Sequence, residues 1–151
     1  MRVGIIGSGQ IAKIHGPLIL KLPNTKIVGI ADKDIVRARS LATELKATQF
    51  YQDAEIMIEE QKPDIVHVLT PPQYHADLSI MAMNNGCNVL VEKPMALMMT
   101  DAEKMVEAAK HNKVRLCVNH NMVFEGVTRH AIEMACQGAI GEVVSVEAYY
   151  S

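Results

Sequence analysis

Short apolar runs alternate along the chain with longer amphipathic segments, and this pattern predicts strands separated by helices. The nearly unbroken apolar run at residues 64–69 is typical of a parallel strand that is covered on both faces. The predicted strands are residues 3–6, 26–31, 49–51, 64–69, 88–91 and 114–118, and the predicted helices are residues 11–22, 33–46, 54–61, 73–85 and 100–111. This order predicts an α/β fold, a doubly wound parallel sheet of the Rossmann type with right-handed crossovers.

Helical spacing and capping patterns set the expected helix boundaries. In the first predicted helix the apolar residues at helical intervals are Ile11, Ile14, Leu18 and Leu22. Thr100 is followed three residues later by Glu103, which is the pattern of a capping box, so the last of these helices is predicted to start with Thr100 as its N-cap.

The end of the chain has a different pattern. A helix is predicted at residues 125–137 and a turn at 138–141, after which apolar and polar residues alternate over 142–150. Alternation favours a half-exposed strand, unlike the buried strands before it. We therefore expect a dinucleotide-binding domain at residues 1–121 and the start of a second α/β domain at 122–151. Because the sequence stops within the predicted strand, we expect it to be a piece of a longer protein.

Composition narrows the possible classes of protein. Net charge is −2 and 21% of residues are charged, which gives no electrostatic reason to bind nucleic acid or an anionic membrane. The three cysteines, Cys87, Cys117 and Cys136, form no C-x-x-C pattern, so a reducing compartment and a cytoplasmic location are expected. The sequence has no apolar run long enough to cross a membrane, no signal-peptide pattern and no metal-ligand spacing.

A glycine-rich turn after the first strand carries the strongest local motif. Residues 7–12 read G-x-G-x-x-A between a predicted strand and a predicted helix, which is the context of a dinucleotide fingerprint. Gly7 would allow the tight turn, Gly9 would let the backbone approach a pyrophosphate, and Ala12 would permit close helix–sheet packing. A glycine-rich turn without a ligand is the alternative. The predicted phosphate-binding residues are Gly7, Ser8, Gly9, Gln10 and Ile11.

An acidic residue follows the second predicted strand at the distance that the fingerprint requires. The carboxylate of Asp32 can accept hydrogen bonds from ribose hydroxyls and would repel a 2′-phosphate, so NAD is favoured over NADP. Lys33 weakens that preference, because a cation could screen a phosphate. Asp32 could instead be an ordinary carboxylate at a strand end, and a nucleoside-binding Rossmann protein such as a methyltransferase could share these residues.

Two further turns follow predicted strands at their carboxyl ends, where open α/β sheets bind ligands. Thr70 and Pro71 begin the first, with His75 a few residues on, and Glu92-Lys93-Pro94 forms the second. Because charged groups are costly to place at the edge of a buried sheet, this pair is expected to have an interaction partner or a function there. The alternative for Lys93 is a surface lysine paired with Glu92.

These motifs together resemble the N-terminal half of the glucose–fructose oxidoreductase, inositol dehydrogenase and rhizopine-catabolism family (Gfo/Idh/MocA). The matching features are the G-x-G-x-x-A turn, Asp32, Thr70-Pro71 with His75, Glu92-Lys93-Pro94, residues 118–121 with Phe124, and the sequence at 138–143. The resemblance covers nearly the whole chain, and the Glu-Lys-Pro motif after Thr-Pro is its most specific part.

The resemblance implies an NAD(P)-dependent oxidoreductase that acts on a carbinol carbon of a sugar, cyclitol or related polyol. It assigns proton transfer to Lys93, the orientation of Lys93 to Glu92, and a cis peptide to Lys93-Pro94. Thr70 and Pro71 would line the cofactor, with His75 and Asn121 on the nicotinamide side. It also implies a homo-oligomer formed through the second domain, and a fragment that is inactive alone.

The sequence departs from the family pattern in two respects. Met122-Val123 precede Phe124, where the family often has an arginine, and no residue matches the family's second acid/base group, which belongs to the C-terminal domain. A non-catalytic cofactor-binding sensor or regulatory module is the alternative function. His15 could approach the cofactor or serve helix packing, and His67 is predicted to be a core histidine.

Overall fold

The computed structural model describes residues 1–147. These residues form two compact units, of which the first is Met1–Asn119 and the second begins at His120.

The first unit contains a six-stranded, entirely parallel sheet. Its strands are β1 (Arg2–Ile6), β2 (Lys26–Ala31), β3 (Phe50–Tyr51), β4 (Ile65–Val68), β5 (Asn88–Val91) and β6 (Leu116–Val118). Their spatial order is β3-β2-β1-β4-β5-β6, so the chain reverses direction across the sheet between β1 and β4. This confirms the doubly wound fold and places its ligand crevice at the carboxyl ends of β1 and β4.

Helices cover both faces of this sheet. They are α1 (Gln10–Leu20), α2 (Ile35–Glu44), α3 (Ala54–Gln61), α4 (His75–Asn84) and α5 (Met99–Asn112). One buried cluster includes residues of α1 and α2, and the other includes residues of α3, α4 and α5. Val3 and Ile5 of β1 belong to the first cluster and Ile6 to the second, as the alternation of side chains along a strand requires.

The apolar residues of α1 that recur at helical intervals lie on its exposed face, although such spacing predicts that they are buried. An apolar stripe normally faces the core, yet Ile11, Ile14 and Leu18 are between 40% and 58% exposed. The buried side of the helix carries Ala12, Gly16 and Ile19. A Cβ on Gly16 would lie 2.2 Å from Cδ1 of Leu45, so the small residues let α1 approach the rest of the unit closely. The helix also ends at Leu20, before the predicted Leu22.

Two helix starts differ from the sequence prediction. Helix α2 begins at Ile35 because the Asp34 carboxylate accepts hydrogen bonds from the backbone N–H groups of Val36 and Arg37, at 3.0 and 3.3 Å. Helix α5 begins at Met99, with Met98 as its N-cap. The predicted capping box at Thr100 is therefore wrong, because Thr100 already lies inside the first turn.

The N-cap of α3 offers a test of local stability. One oxygen of the Asp53 carboxylate accepts hydrogen bonds from the N–H groups of Glu55 and Ile56, at 2.7 and 3.3 Å. Asp53→Ala should lower the free energy of unfolding by about 1 kcal/mol, and Asp53→Asn should lower it less because asparagine also caps well. Urea denaturation of the three proteins measures the difference. Equal stability of the alanine variant and the parent would contradict the capping role.

The second unit has one α-helix among its described residues. This is α6 (Gly126–Cys136), which follows a short 3-10 turn at Asn121–Phe124. Residues 142–147 form no strand, which corrects the prediction over that stretch, and the remainder of the predicted strand lies outside the described residues. A single strand is not stable in water without a partner. No helix in residues 1–147 combines the length and apolar character that crossing a membrane demands.

Candidate functional site

The turn after β1 is shaped by a glycine that no other residue could replace without strain. Gly7 has a φ of +99°, and a Cβ there would lie 2.8 Å from the carbonyl oxygen of Leu69. Its N–H donates to the carbonyl of Ala31 at 2.8 Å, which ties the turn to the end of β2. The turn therefore holds β1, β2 and the segment after β4 close together at the carboxyl edge.

Helix α1 begins directly behind this turn with its N-terminus open. Gly9 is the N-cap and makes no side-chain cap, and a Cβ on Gly9 would have nothing within 4 Å. The first N–H groups of the helix, including those of Gln10 and Ile11, have no partner within a helix. Together with the positive end of the helix dipole, they form a site that suits an anion.

Asp32 follows β2 and is tied to the glycine turn. Its Oδ2 accepts a hydrogen bond from the N–H of Ser8 at 2.7 Å. Its Oδ1 accepts from the N–H of Asp34 at 2.9 Å and from the guanidinium of Arg37 at 3.2 Å. The carboxylate thus shapes the turn besides facing the cavity. Arg37 was not among the predicted site residues, although its place in the first turn of α2 could have indicated a cation beside Asp32.

A cavity of about 580 Å³ lies in front of these elements, within the usual range for small-molecule sites. Residues that line it include Gly7, Ser8, Gly9, Asp32, Lys33, Arg37, Thr70, Pro71 and Tyr74. At its margin the Nζ atom of Lys33 lies 4.7 Å from the centre of the Tyr74 ring, a cation–π contact between the β2 and β4 sides. Another cavity, of about 510 Å³, lies beside Pro63 and Asp64, which precede β4.

Two buried hydroxyls in the wall of the cavity beside Gly7 and Asp32 have no hydrogen-bond partner. They are Oγ of Ser8 and Oγ1 of Thr70, and no described residue pairs with either. Buried polar groups nearly always have a hydrogen-bond partner, so two buried hydroxyls without one beside a cavity favour a polar ligand there. The open helix terminus, the carboxylate of Asp32 and these hydroxyls fit a dinucleotide.

His75 is placed differently from the sequence expectation. Its side chain is 1% exposed, with Nδ1 2.8 Å from the carbonyl oxygen of Pro94 and Nε2 2.7 Å from that of Thr70. Each ring nitrogen therefore lies within hydrogen-bond distance of a backbone carbonyl, of which a neutral ring can donate to one, and the ring does not line the cavity. His75 thus lies between the Thr70 turn and the Pro94 turn, and its contact with a cofactor stays a prediction.

Glu92 holds the Lys93 turn through the backbone. Its carboxylate is 9% exposed, and Oε2 accepts the backbone N–H of Lys93 at 3.1 Å. The Lys93 side chain is exposed and forms no ion pair within residues 1–147, so the alternative of a surface pair with Glu92 is wrong. The Lys93–Pro94 peptide is cis, as the resemblance implies.

Two histidines meet behind this turn. Nδ1 of His15 lies 3.2 Å from Nδ1 of His67, and the rings are nearly perpendicular. Burial, with a smaller effect of the neighbouring His15, lowers the pKa of His67 to about 4. Burial also lowers the pKa of His15, although Glu92 opposes that shift. His15 does not line the cavity beside the glycine turn, and its side chain instead contacts the carboxylate behind Lys93.

The remaining predicted residue, Asn121, lies in the 3-10 turn of the second unit. In the first unit, Asn119 belongs to the matching stretch 118–121 but had no predicted role, and its amide donates to Oε1 of Glu92 at 2.5 Å. In the part of the chain that the structure describes, no group of three or more His, Cys, Asp or Glu side chains is arranged to hold a metal ion.

The doubly wound sheet, the glycine turn and the carboxylate after β2 define a dinucleotide-binding domain. Residues 1–120 match the family described as "Oxidoreductase family, NAD-binding Rossmann fold", GFO_IDH_MocA. The chain belongs to this family, which confirms the resemblance and makes the first unit an oxidoreductase-type NAD-binding domain.

Several known proteins similar to this chain are dehydrogenases. The D-glucoside 3-dehydrogenase of Escherichia coli (strain K12) is 30% identical over 144 residues, which are 95% of this chain and 41% of that protein. The crystal structure of myo-inositol 2-dehydrogenase from Lactobacillus plantarum has a TM-score of 0.87 and 25% identity over 95% of this chain and 43% of that one. GenD2 from gentamicin A biosynthesis, solved in complex with NAD, has a TM-score of 0.87 and 25% identity over 92% and 40%. The chain thus spans about two fifths of the length of such relatives.

Proposed function

We propose that the chain is the cofactor-binding part of an NAD(H)-dependent oxidoreductase acting on a carbinol carbon of a sugar, cyclitol or related polyol. The observation that carries the proposal is the pair of unpartnered buried hydroxyls, Ser8 and Thr70, beside an open helix N-terminus. Lys93 supports it further, since its exposed side chain follows β5 at the same carboxyl edge of the sheet. The similar dehydrogenases act on glucosides and inositol, which favours this substrate class.

Within this proposal each residue has a separate task. The N–H groups at the start of α1 bind the diphosphate, and the hydroxyls of Ser8 and Thr70 gain the partners that they lack. Asp32 accepts hydrogen bonds from the adenosine ribose, while Pro71 extends the lining toward the nicotinamide. When bound, NAD(H) supplies the hydride acceptor or donor.

Lys93 moves the proton. In the oxidation direction, the carbinol carbon loses a hydride and its hydroxyl gives a proton to Nζ of Lys93, so that the C–O bond becomes C=O. In the reduction direction Nζ returns the proton to the oxygen. Glu92 accepts the backbone N–H of Lys93 and thereby fixes the position from which the Lys93 side chain starts. The His75 ring lies between the carbonyl oxygens of Thr70 and Pro94 and so connects the two turns.

The choice between NAD and NADP forms a testable part of the proposal. Asp32→Ala should weaken NAD binding about tenfold, the effect of losing hydrogen bonds to a charged group. It should strengthen NADP binding, because Arg37 and Lys33 lie at the same cavity without the opposing carboxylate. Titration calorimetry with both cofactors measures the change.

Asp32→Asn is the matched control, since it keeps the shape of the side chain and removes only its charge. It should also relax the rejection of NADP. Tighter binding of NADP than of NAD by the unmodified chain would contradict the role of Asp32.

A further inference from the structure

A partly buried polar cluster lies behind the Lys93 turn and outside the dinucleotide cavity. It consists of His15 from α1, His67 from β4, Glu92 after β5 and Asn119 after β6. Nε2 of His15 lies 3.4 Å from Oε1 of Glu92 and 3.3 Å from the amide nitrogen of Asn119. Four separate elements thus bring their polar side chains to one point, and we call this set the Glu92 cluster.

The cluster has two hydrogen-bonding states, and His15 decides between them. A neutral imidazole has one N–H donor and a protonated one has two. The contact between His15 and His67 needs a single hydrogen between the two Nδ1 atoms. When His15 is protonated, it donates both to Nδ1 of His67 and to Oε1 of Glu92. When it is neutral, it has one N–H: Nε2 can donate to Glu92 only if His67 supplies the hydrogen between the two Nδ1 atoms, and that donor then carries no positive charge.

Glu92 carries this difference to the site. Its Oε1 faces His15 and Asn119, and its Oε2 accepts the backbone N–H of Lys93. A charged donor on Oε1 draws electron density toward that oxygen and holds the carboxylate in one rotation, whereas a neutral His15 offers at most an uncharged and weaker donor beside the amide of Asn119.

We propose that His15 is a positioning residue that acts through Glu92 on the backbone of Lys93, with its protonation state setting how firmly that turn is held. The effect on turnover rests on the proposed function of Lys93. The effect on the Lys93 backbone does not, because it follows from the hydrogen bonds alone.

The direction with pH follows from the surroundings of His15. The groups that face it are His67 from β4, the Glu92 carboxylate after β5 and the Asn119 amide after β6. Burial lowers the pKa of His15 below its ordinary value and Glu92 opposes this. His15 is therefore neutral at neutral pH and gains its second donor as the pH falls, while His67, with a pKa of about 4, stays neutral over that range.

The first experiment uses the chain labelled with ¹⁵N-lysine and ¹⁵N-histidine. We expect the Lys93 amide resonance to move between about pH 8 and about pH 5 with the same midpoint as the His15 ring. In His15→Gln, which keeps a neutral donor and cannot titrate, this movement should be lost. His111→Gln, at an exposed histidine in α5, is the matched control and should leave it unchanged.

Two results would overturn the inference. One is a Lys93 amide that does not move while His15 titrates, and this test needs no variant. The other is a movement that persists in His15→Gln, which would assign it to Glu92 itself.

The second experiment measures turnover in the full-length gene product. His15→Leu should lower kcat about tenfold with little change in KM, and His15→Gln should recover part of the loss. The acidic limb of the pH profile should be steeper in both variants, because neither gains the charged donor that holds the Lys93 turn as the pH falls. If Lys93 proves dispensable for turnover, the proposed function fails but coupling of the Lys93 amide to His15 still supports this inference. If Lys93 is required and its amide does not respond to His15, only this inference fails.

Discussion

Lys93→Met in the full-length gene product is expected to lower kcat by about 100-fold or more, the scale of a lost general acid/base. Methionine has a similar length and apolar stem but cannot take or return the hydroxyl proton. Because the Lys93 side chain makes no ion pair in the described part of the chain, the substitution removes chemistry without breaking a structural contact. Steady-state kinetics with candidate polyols and sugars measures kcat, and calorimetry with NADH measures cofactor affinity, which should change much less.

Lys110→Met is the matched control, since Lys110 is an exposed lysine of α5 far along the chain from the turn. It should retain full turnover. If Lys93→Met and Lys110→Met both had the same kcat as the parent, Lys93 would have no part in the mechanism. The alternative of a non-catalytic cofactor-binding module would then be favoured.

Gly9→Val is expected to weaken NADH binding by at least about 100-fold, which corresponds to about 2.8 kcal/mol. The glycine position allows the backbone to approach the pyrophosphate, and a branched side chain would occupy that space. The fold itself should tolerate the change. Gly9 has a φ of −75°, which any residue adopts, and a Cβ there meets no atom within 4 Å.

A graded series makes this prediction sharper. Gly9→Ala should weaken binding less than Gly9→Val, and both should keep the thermal midpoint of the parent by circular dichroism. Gly7→Ala is the contrasting variant. It should destabilise the fold, because its left-handed φ is unfavourable for a side chain and a Cβ would lie 2.8 Å from the Leu69 carbonyl oxygen. Calorimetry showing undiminished NADH binding by Gly9→Val would refute the fingerprint interpretation.

The alternation of apolar runs and helical segments was enough to predict the doubly wound sheet. Parallel strands buried on both faces must be apolar almost throughout, and the connections between them must be long enough for a helix. The G-x-G-x-x-A turn could also be predicted from the sequence, because a tight turn after β1 requires glycine at a position of positive φ such as Gly7. Local sequence determines these features through backbone conformation and burial alone.

Tertiary structure decided which face of α1 is buried. Periodicity shows which residues share a face of a helix but not what covers that face, and close approach to Leu45 selects the small residues Ala12 and Gly16 for the inner side. The alternating pattern at 142–147 likewise specifies no strand by itself, because a strand requires the hydrogen bonds of a neighbour.

The roles of the site residues depended on hydrogen bonds between distant positions. His75 follows a turn that was predicted to bind the cofactor, yet its two ring nitrogens face the carbonyl oxygens of Thr70 and Pro94. Glu92 stands next to Lys93 in sequence, but its carboxylate meets Asn119 and His15, which lie on other elements. The sequence by itself determined the fold and the kind of ligand turn, since these follow from local pattern. Only the packing of β4, β5, β6 and α1 decided which polar groups meet, because hydrogen-bond partners are set by strand register and helix orientation.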